Sequence, residues 1–187
     1  MKKGFTLIEM LAVIVILGIT ITIVAIKVDS NIKNSNKFEN ERMSQTLEEA
    51  AILFVENYRS ELTSISSKGV DTISISQLIN KGLISRSDVK DSVSNIIVVA
   101  DIDGIIKAKY TKTSQNVIFL NGGSQISIYR GSSYIELGAY VAIPGSGLVE
   151  LTSSNISSNV NINTAGDYEV TYTYAGTTTV KRIVNVI

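Results

Sequence analysis

The carboxylate of Glu9 is the group in this sequence whose position most favours a chemical role. It is the only ionisable side chain in residues 5–26, which are otherwise apolar or uncharged. A carboxylate in an apolar span is costly to bury unless it is paired, so such a group usually marks a functional site with a partner. If Glu9 lies close enough to the edge of a membrane, water solvates it instead. Its position alone leaves both interpretations open.

The composition excludes most other site chemistry. The 187 residues contain no His, Cys or Trp, which excludes thiolate or imidazole zinc sites, cysteine nucleophiles, serine–histidine pairs and disulfides. The remaining candidate groups form no catalytic pattern, so we expect no enzyme and no cofactor. Asp101, Asp103 and Gly104 resemble the start of a calcium loop, but no further oxygen ligands follow, so we expect a turn and no metal. The 17 basic and 17 acidic residues also lack the positive excess of a nucleic-acid-binding protein.

The apolar stretch 5–26 has the length of a membrane span. At about 1.5 Å per residue, a helix of this length extends for about 33 Å. The segment 1–3 is short and basic, so we expect it to stay in the cytoplasm. Everything after Lys27 should then lie on the opposite side of the membrane. No small-residue cleavage site of a secretory signal follows Ile26, so we expect the span to remain in the mature protein.

A second helical pattern follows this span. Apolar residues recur with a period of 3.6 from Met43 to Leu62, and no Pro interrupts residues 5–62. The simplest prediction is one long helix, embedded in the membrane at its start and packed on a small domain at its end. Its weakest part is residues 29–36. We interpret its charged residues as a solvated face, with pairing between subunits as the alternative; they are Glu39, Glu41, Arg42, Glu48 and Glu49.

Residues 63–121 predict a small globular region that begins with a short helix. Ser74 and Gln77 have the spacing of a capping box at the start of this helix, and Gly82 can end it. The region continues with strand patterns.

Two strands are predicted in residues 95–102 and 105–111, joined by an Asp-Gly pair that signals a hairpin. Residues 115–120 predict a third strand. The Asn-Gly-Gly sequence at 121–123 breaks the pattern, and we place a domain boundary there.

The composition changes again in residues 124–187, where only 7 of 64 residues are charged. Strand-like alternation in residues 167–174 and 177–186, with close turn signals, favours a small antiparallel sandwich. The predicted fold class is therefore α+β. A long N-terminal helix packs on a small antiparallel sheet, and a β-sandwich follows.

Residues 2–19, KKGFTLIEMLAVIVILGI, resemble the class III signal of type IV prepilins and pseudopilins. The resemblance implies cleavage between Gly4 and Phe5 by a membrane-bound prepilin peptidase, which makes residues 1–4 a leader peptide. It also implies methylation of the new amino group on Phe5. Glu9 would then pair with the Phe5 ammonium of a neighbouring subunit and set the stagger of the filament, since two charges that are costly in lipid attract strongly there.

The remainder of the apolar helix would first hold the subunit in the membrane and then pack in the filament core. Gly18, Thr22 and Ala25 lie at helical spacing and would give one face small enough for close helix approach. The alternative is chance, because such residues are common in membrane spans. Ile26 stands where many pilins have a helix-kinking Pro.

Residues 124–187 resemble the small immunoglobulin-like domains of bacterial surface proteins. Thr164, Gly166, Tyr168 and Val170 have the spacing of a tyrosine corner that leads into a strand. Because the domain is rich in Tyr, Ser and Asn, ligand binding on its surface is a further hypothesis.

Together these features predict a structural subunit of a type IV pilus. The precursor would be a single-pass protein of the cytoplasmic membrane, and the product an extracellular filament. Its partners would be the membrane, prepilin peptidase, the pilus assembly platform, and other copies or other pilins. The alternatives are a pseudopilin of a secretion system and an uncleaved, signal-anchored adhesin. The lack of Cys and the abundance of Ile, Asn, Ser and Lys favour a Gram-positive source.

Overall fold

The computed structural model describes residues 38–89, 95–176 and 178–187. Residues 38–58 are helical and are called α1. A 3-10 turn (Arg59–Glu61) and a short helix α2 (Ile65–Lys68) follow. The buried residues of α1 recur at helical spacing, and they are Leu47, Ala50, Ala51, Phe54 and Val55. This burial confirms the amphipathic helix predicted after Met43.

The rest of the predicted long helix, including the apolar stretch 5–26, lies outside the described residues. Met1–Met43 and Ser44–Ile187 form two units, and the first is described only from residue 38. In the described part of the chain, no helix is both long enough and apolar enough to cross a membrane.

The first sheet is antiparallel and three-stranded, with its second strand in the centre. Its strands are β1 (Val70–Ser74), β2 (Ile96–Ile102) and β3 (Ile105–Thr111), and the helix α3 (Ile75–Asn80) follows β1. In β2, four successive residues are buried, as expected for a strand covered on both faces.

Short-range sequence signals place the ends of these elements as predicted. The Ser74 hydroxyl accepts a hydrogen bond from the Gln77 amide at 3.2 Å, and the Gln77 side chain accepts one from the Ser74 amide at 2.8 Å. Gly82 ends α3 with a φ of +70° while its amide donates to the carbonyl of Ile79 at 2.9 Å. Asp103 and Gly104 form the predicted two-residue turn between β2 and β3, and both have positive φ.

The rest of the chain forms two further sheets. One has the order β4-β6-β7 and contains β4 (Val117–Leu120), β6 (Ala139–Ile143) and β7 (Gly147–Glu150). The other has the order β5-β10-β9-β8 and contains β5 (Gln125–Ile128), β8 (Ile156–Ser158), β9 (Gly166–Tyr174) and β10 (Thr178–Val186). All pairs are antiparallel except β5 with β10, which is parallel.

The strand predicted in residues 115–120 exists as β4, but its partner is β6 and not the preceding hairpin. Its alternate residues face two different cores. Ile118 and Leu120 pack with the buried residues of β9 and β10, while Val117 and Phe119 pack with those of β1 and β2. The sheet that contains β4 is therefore covered on both faces, and it joins the hairpin sheet to the four-stranded sheet through apolar contact.

Candidate functional site

The residues that the sequence predicts as the processing and assembly site lie outside the described residues. They are Gly4, Phe5, Glu9, Gly18, Thr22 and Ala25. Their roles stay predictions. The described residues show how α1 is held from Ser44 onward and how the C-terminal sheets are held together.

Polar contacts attach α1 and the 3-10 turn that follows it to the hairpin sheet. Glu48 Oε1 accepts a hydrogen bond from the Tyr110 amide at 3.1 Å and lies 3.1 Å from Lys109 Nζ. In the 3-10 turn, the guanidinium of Arg59 pairs with the carboxylate of Asp101. The interpretation of Glu48 as part of a solvated face is wrong, because its side chain is only 20% exposed and bonds to the edge strand of the sheet.

The carboxylate of Asp101 is engaged in the turn that follows it. Its Oδ1 accepts a hydrogen bond from the Gly104 amide at 3.0 Å, and its Oδ2 contacts Arg59. These bonds support the turn interpretation of Asp101 and Gly104. Within residues 38–89, 95–176 and 178–187, no group of three or more potential ligands is placed to hold a metal ion.

The most unusual polar group of the described residues is Arg182 on β10, whose side chain is fully buried. Its Nη1 lies 2.7 Å from Glu136 Oε1, and its Nε donates to the carbonyl of Gly123 at 3.0 Å. Its Nη2 donates to the carbonyl of Asn121. The guanidinium also lies 5.4 Å from the ring centre of Tyr172, within the range of a cation–π contact. One arginine thus fixes the chain just after β4 and the carboxylate just before β6.

Four donors surround the Glu136 carboxylate. The hydroxyls of Tyr134 and Tyr172 donate to it, the amide of Gly138 donates at 2.8 Å, and Arg182 completes the set. Burial alone would raise the pKa of Glu136, but the tyrosine and amide hydrogen bonds and the Arg182 charge outweigh it, so the pKa lies below its ordinary value. Burial, then the bond to Glu136, raises the pKa of Tyr134 to about 12 and also raises the pKa of Tyr172.

This arrangement, which we call the Arg182 cluster, is suited to holding structure. The carboxylate accepts hydrogen bonds from four neighbouring donors, so its charge is compensated within the cluster. Among the described residues, no buried side-chain nitrogen or oxygen lacks a partner. A fully satisfied buried network of this kind fixes the relative positions of the segments that supply it.

The sequence carries one signal for this cluster, which the predictions above did not include. Strand alternation in β10 puts Arg182 on the same face as Val184 and Val186, both of which are buried. A charged residue in an inward row predicts a buried ion pair. Nothing local indicated Glu136 as the partner, because it lies 46 positions away in an irregular segment.

The predicted tyrosine corner is confirmed. The hydroxyl of Tyr168 donates to the carbonyl of Thr164 at 2.9 Å, and Gly166 has a φ of +151° at the start of β9. Val170, two residues beyond the tyrosine, is fully buried in the core between the two C-terminal sheets. This geometry is typical of immunoglobulin-like sandwiches.

Comparison with known families gives two matches at opposite ends of the chain. Residues 1–25 match the family described as prokaryotic N-terminal methylation motif. Residues 118–186 match the family described as bacterial surface protein, Ig-like domain. The second match begins within β4 and ends at the last residue of β10, so it covers the two sheets that the Arg182 cluster joins.

No curated protein matches the chain. Among solved structures, a crystal structure of the lipoprotein BT2262 from Bacteroides thetaiotaomicron is 27% identical over 38% of this chain, with a TM-score of 0.31. The chain spans 37% of the length of that lipoprotein. The protein therefore carries the N-terminal methylation signal of type IV pilin-like proteins at residues 1–25 and a bacterial surface immunoglobulin-like domain at residues 118–186.

Proposed function

We propose that this protein is a structural subunit of a type IV pilus that is processed after Gly4 and polymerised into an extracellular filament. The observation that carries the proposal is the match of residues 1–25 to the N-terminal methylation motif. The match to a surface immunoglobulin-like domain supports display outside the cell. A filament subunit requires no catalytic group, which agrees with the structural character of both matched regions.

In this proposal, cleavage creates a methylated ammonium on Phe5, and the Glu9 carboxylate of an incoming subunit pairs with it. Each charge alone is costly in lipid, and their attraction increases as the local dielectric constant falls. Assembly in the correct stagger therefore removes two unfavourable charges at once. Gly18, Thr22 and Ala25 give the helices a small-residue face for close packing.

The proposed organisation follows the order of the chain. Residues 1–4 are the leader, 5–62 the long helix with its membrane span at 5–26, 63–121 the pilin-like globular region, and 124–187 the immunoglobulin-like domain. The precursor would cross the cytoplasmic membrane once, meet prepilin peptidase and the pilus assembly platform, and join copies of itself or other pilins. The Gram-positive source stays a prediction from composition.

Mass spectrometry of the mature N-terminus tests the processing step. We expect a chain that begins at methylated Phe5, and Gly4→Ala should leave the leader attached. Gly18→Ala makes the same change outside the cleavage site, so processing should be normal in that variant. A wild-type chain that still begins at Met1 in a host with prepilin peptidase contradicts the proposal and favours the uncleaved adhesin.

Electron microscopy with immunogold labelling tests assembly. Long surface filaments labelled by antibody support a pilus, whereas secretion without surface filaments supports a pseudopilin. We expect Glu9→Val to insert in the membrane normally and to form few filaments. Glu49→Val removes an exposed acid outside the motif and should form filaments normally. Normal filaments from Glu9→Val would remove the proposed role of Glu9.

A further inference from the structure

A groove of about 510 Å³ separates α1 from the end of the hairpin sheet. Ile52 and Glu56 of α1 and Arg59 of the following 3-10 turn line one wall, and Ile105 and Ile106 of β3 line the other. Ile105 is 63% exposed, so its apolar side chain is available for contact at the mouth of the groove. Arg59 is paired with Asp101 at one end, and Glu48 is paired with Lys109 beyond the other, while the exposed Glu56 belongs to the lining itself.

The wall formed by β3 also presents unpaired backbone. Ile102 and Ile105 pair across the two-residue turn, so the backbone groups of every second residue from Ile106 point away from β2. The Tyr110 amide points away from β2 in this way, and it donates a hydrogen bond to the carboxylate of Glu48. The amides of Ile106 and Ala108 also point away from β2, and they have no hydrogen-bond partner among the described residues. The groove is therefore bounded by a free strand edge, which favours an extended segment as its occupant.

A segment with matching properties lies elsewhere on the same chain. Residues 133–137 are irregular, and their exposure alternates. Ile135 is 74% exposed and Leu137 is 46% exposed, while Tyr134 and Glu136 turn inward to the Arg182 cluster. Within the described part of the chain, the backbone of residues 133–137 has no backbone hydrogen bond. The Arg182 cluster thus holds a strand-like segment in which Ile135 is directed outward and Leu137 is half exposed beside Gly122.

We propose that residues 133–137 of one copy add to the β3 edge of a second copy, with Ile135 and Leu137 in the groove. The outward side chains of this segment are apolar, as are Ile52, Ile105 and Ile106 of the groove lining. The two surfaces are different parts of one chain, so the contact is head-to-tail and can repeat along a filament. The inference adds a specific contact between globular regions to the proposed function and rests on the self-association that this function requires.

Paired cysteines test the contact in cells, because the full chain contains no native Cys. We expect Ile105→Cys with Ile135→Cys to give a ladder of covalent multimers with a short bismaleimide. Val149→Cys with Ile135→Cys is the matched control, since Val149 is 44% exposed but does not line the groove. The control should remain monomeric. No ladder from the first pair, or an equal ladder from the control, would overturn the proposal.

Two variants are made in the background of Ile105→Cys with Ile135→Cys. They test whether the multimers depend on backbone pairing along β3 and on the apolar groove, or only on the two cysteines lying near each other. Ala108→Pro removes an outward amide that the sheet itself does not use, so the fold should tolerate it. We expect it to reduce multimers by about tenfold, as should a charge placed in the groove by Ile52→Glu. Leu53→Glu places the same charge on an exposed neighbour and should keep the ladder. Undiminished multimers in Ala108→Pro and Ile52→Glu would contradict the contact.

The outcomes distinguish this contact from the proposed function. If the wild-type chain is unprocessed and forms no filaments while the ladder persists, the pilus proposal fails and the contact stands. If filaments form and the ladder is absent, the contact is wrong and the pilus proposal stands.

Discussion

The attachment of α1 and the joining of the C-terminal sheets use charge in opposite ways. Beneath α1 the core is apolar, with Phe54 fully buried, and the ion pair of Arg59 with Asp101 lies at the rim. Between the C-terminal sheets the charge of Arg182 is itself in the core. A rim pair adds little stability because water competes for it, whereas a buried charge is strongly destabilising when its partner is lost. We therefore expect the two regions to respond differently to loss of charge.

The largest effect should come from the apolar core beneath α1. Phe54→Ala should lower the free energy of unfolding by about 4 kcal/mol, because it removes a fully buried ring and leaves a cavity. Urea unfolding of the full chain in detergent, followed by the near-ultraviolet circular dichroism of its tyrosines, measures this loss. Leu53→Ala changes an exposed neighbour and should cost less than about 1 kcal/mol. Equal losses would show that α1 is not held by this face.

Loss of the buried charge should have the next largest effect. Arg182→Met should lower the free energy of unfolding by about 3 kcal/mol, because Glu136 and the carbonyls of Asn121 and Gly123 lose their shared donor. Lys181→Met is the control in the same strand, since Lys181 is exposed and pairs only at the surface with Glu169. The same unfolding measurement applies. A loss below about 1 kcal/mol for Arg182→Met would mean that the Arg182 cluster contributes no more to stability than an exposed ion pair at the rim.

The Arg182 cluster should also set a pH dependence of stability. The pKa of Glu136 is lower in the folded chain than its ordinary 4.5, so its contribution is complete above about pH 4.5 and is lost as the pH falls toward the folded pKa. The pKa of Tyr134 is raised from 10.0 to about 12, so its contribution is complete below pH 10 and is lost as the pH rises toward 12. Thermal unfolding at a series of pH values measures both. Glu136→Gln should flatten the acid side. Tyr134→Phe should reduce the slope of the alkaline side, to which Tyr172 also contributes through its raised pKa, and unchanged profiles would contradict these assignments.

The smallest effect should come from the rim. Arg59→Ala should change the free energy of unfolding by less than about 1 kcal/mol, because both partners are in contact with solvent. Double-mutant analysis with Asp101→Asn measures the coupling alone. A coupling energy above about 2 kcal/mol would mean that the rim pair stabilises the fold about as strongly as the buried charge does.

Features that depend on neighbouring residues could be predicted from the sequence. The capping box of Ser74, the helix end at Gly82 and the turn at Asp103 each require only a few adjacent residues. The tyrosine corner of Tyr168 is equally local, since its bond spans four positions. Periodicity predicted the buried face of α1 for the same reason, because a helix repeats its environment every few residues.

Partnerships between distant residues could not be predicted in this way. A short apolar run predicted that β4 is a strand, but both of its faces are apolar, so the pattern could not choose between the hairpin and β6 as its partner. Glu48 is a charged residue of the kind that usually faces solvent. Only the folded structure brings the Tyr110 amide close enough to bond to its carboxylate. The assembly residues predicted near the N-terminus, Glu9 among them, stay predictions.

The sequence by itself determined the presence of an N-terminal methylation signal, an amphipathic helix and an immunoglobulin-like sequence. Each of these features depends on a pattern within one continuous stretch of the chain. Only the tertiary structure decided that Arg182 and Glu136 meet and that β4 joins two cores. It also decided that, among the described residues, the backbone of residues 133–137 and the amides of Ile106 and Ala108 have no backbone partner. The physical reason is that burial and pairing depend on which distant surfaces come together. Residue order restricts that choice through hydrophobic pattern but does not specify it.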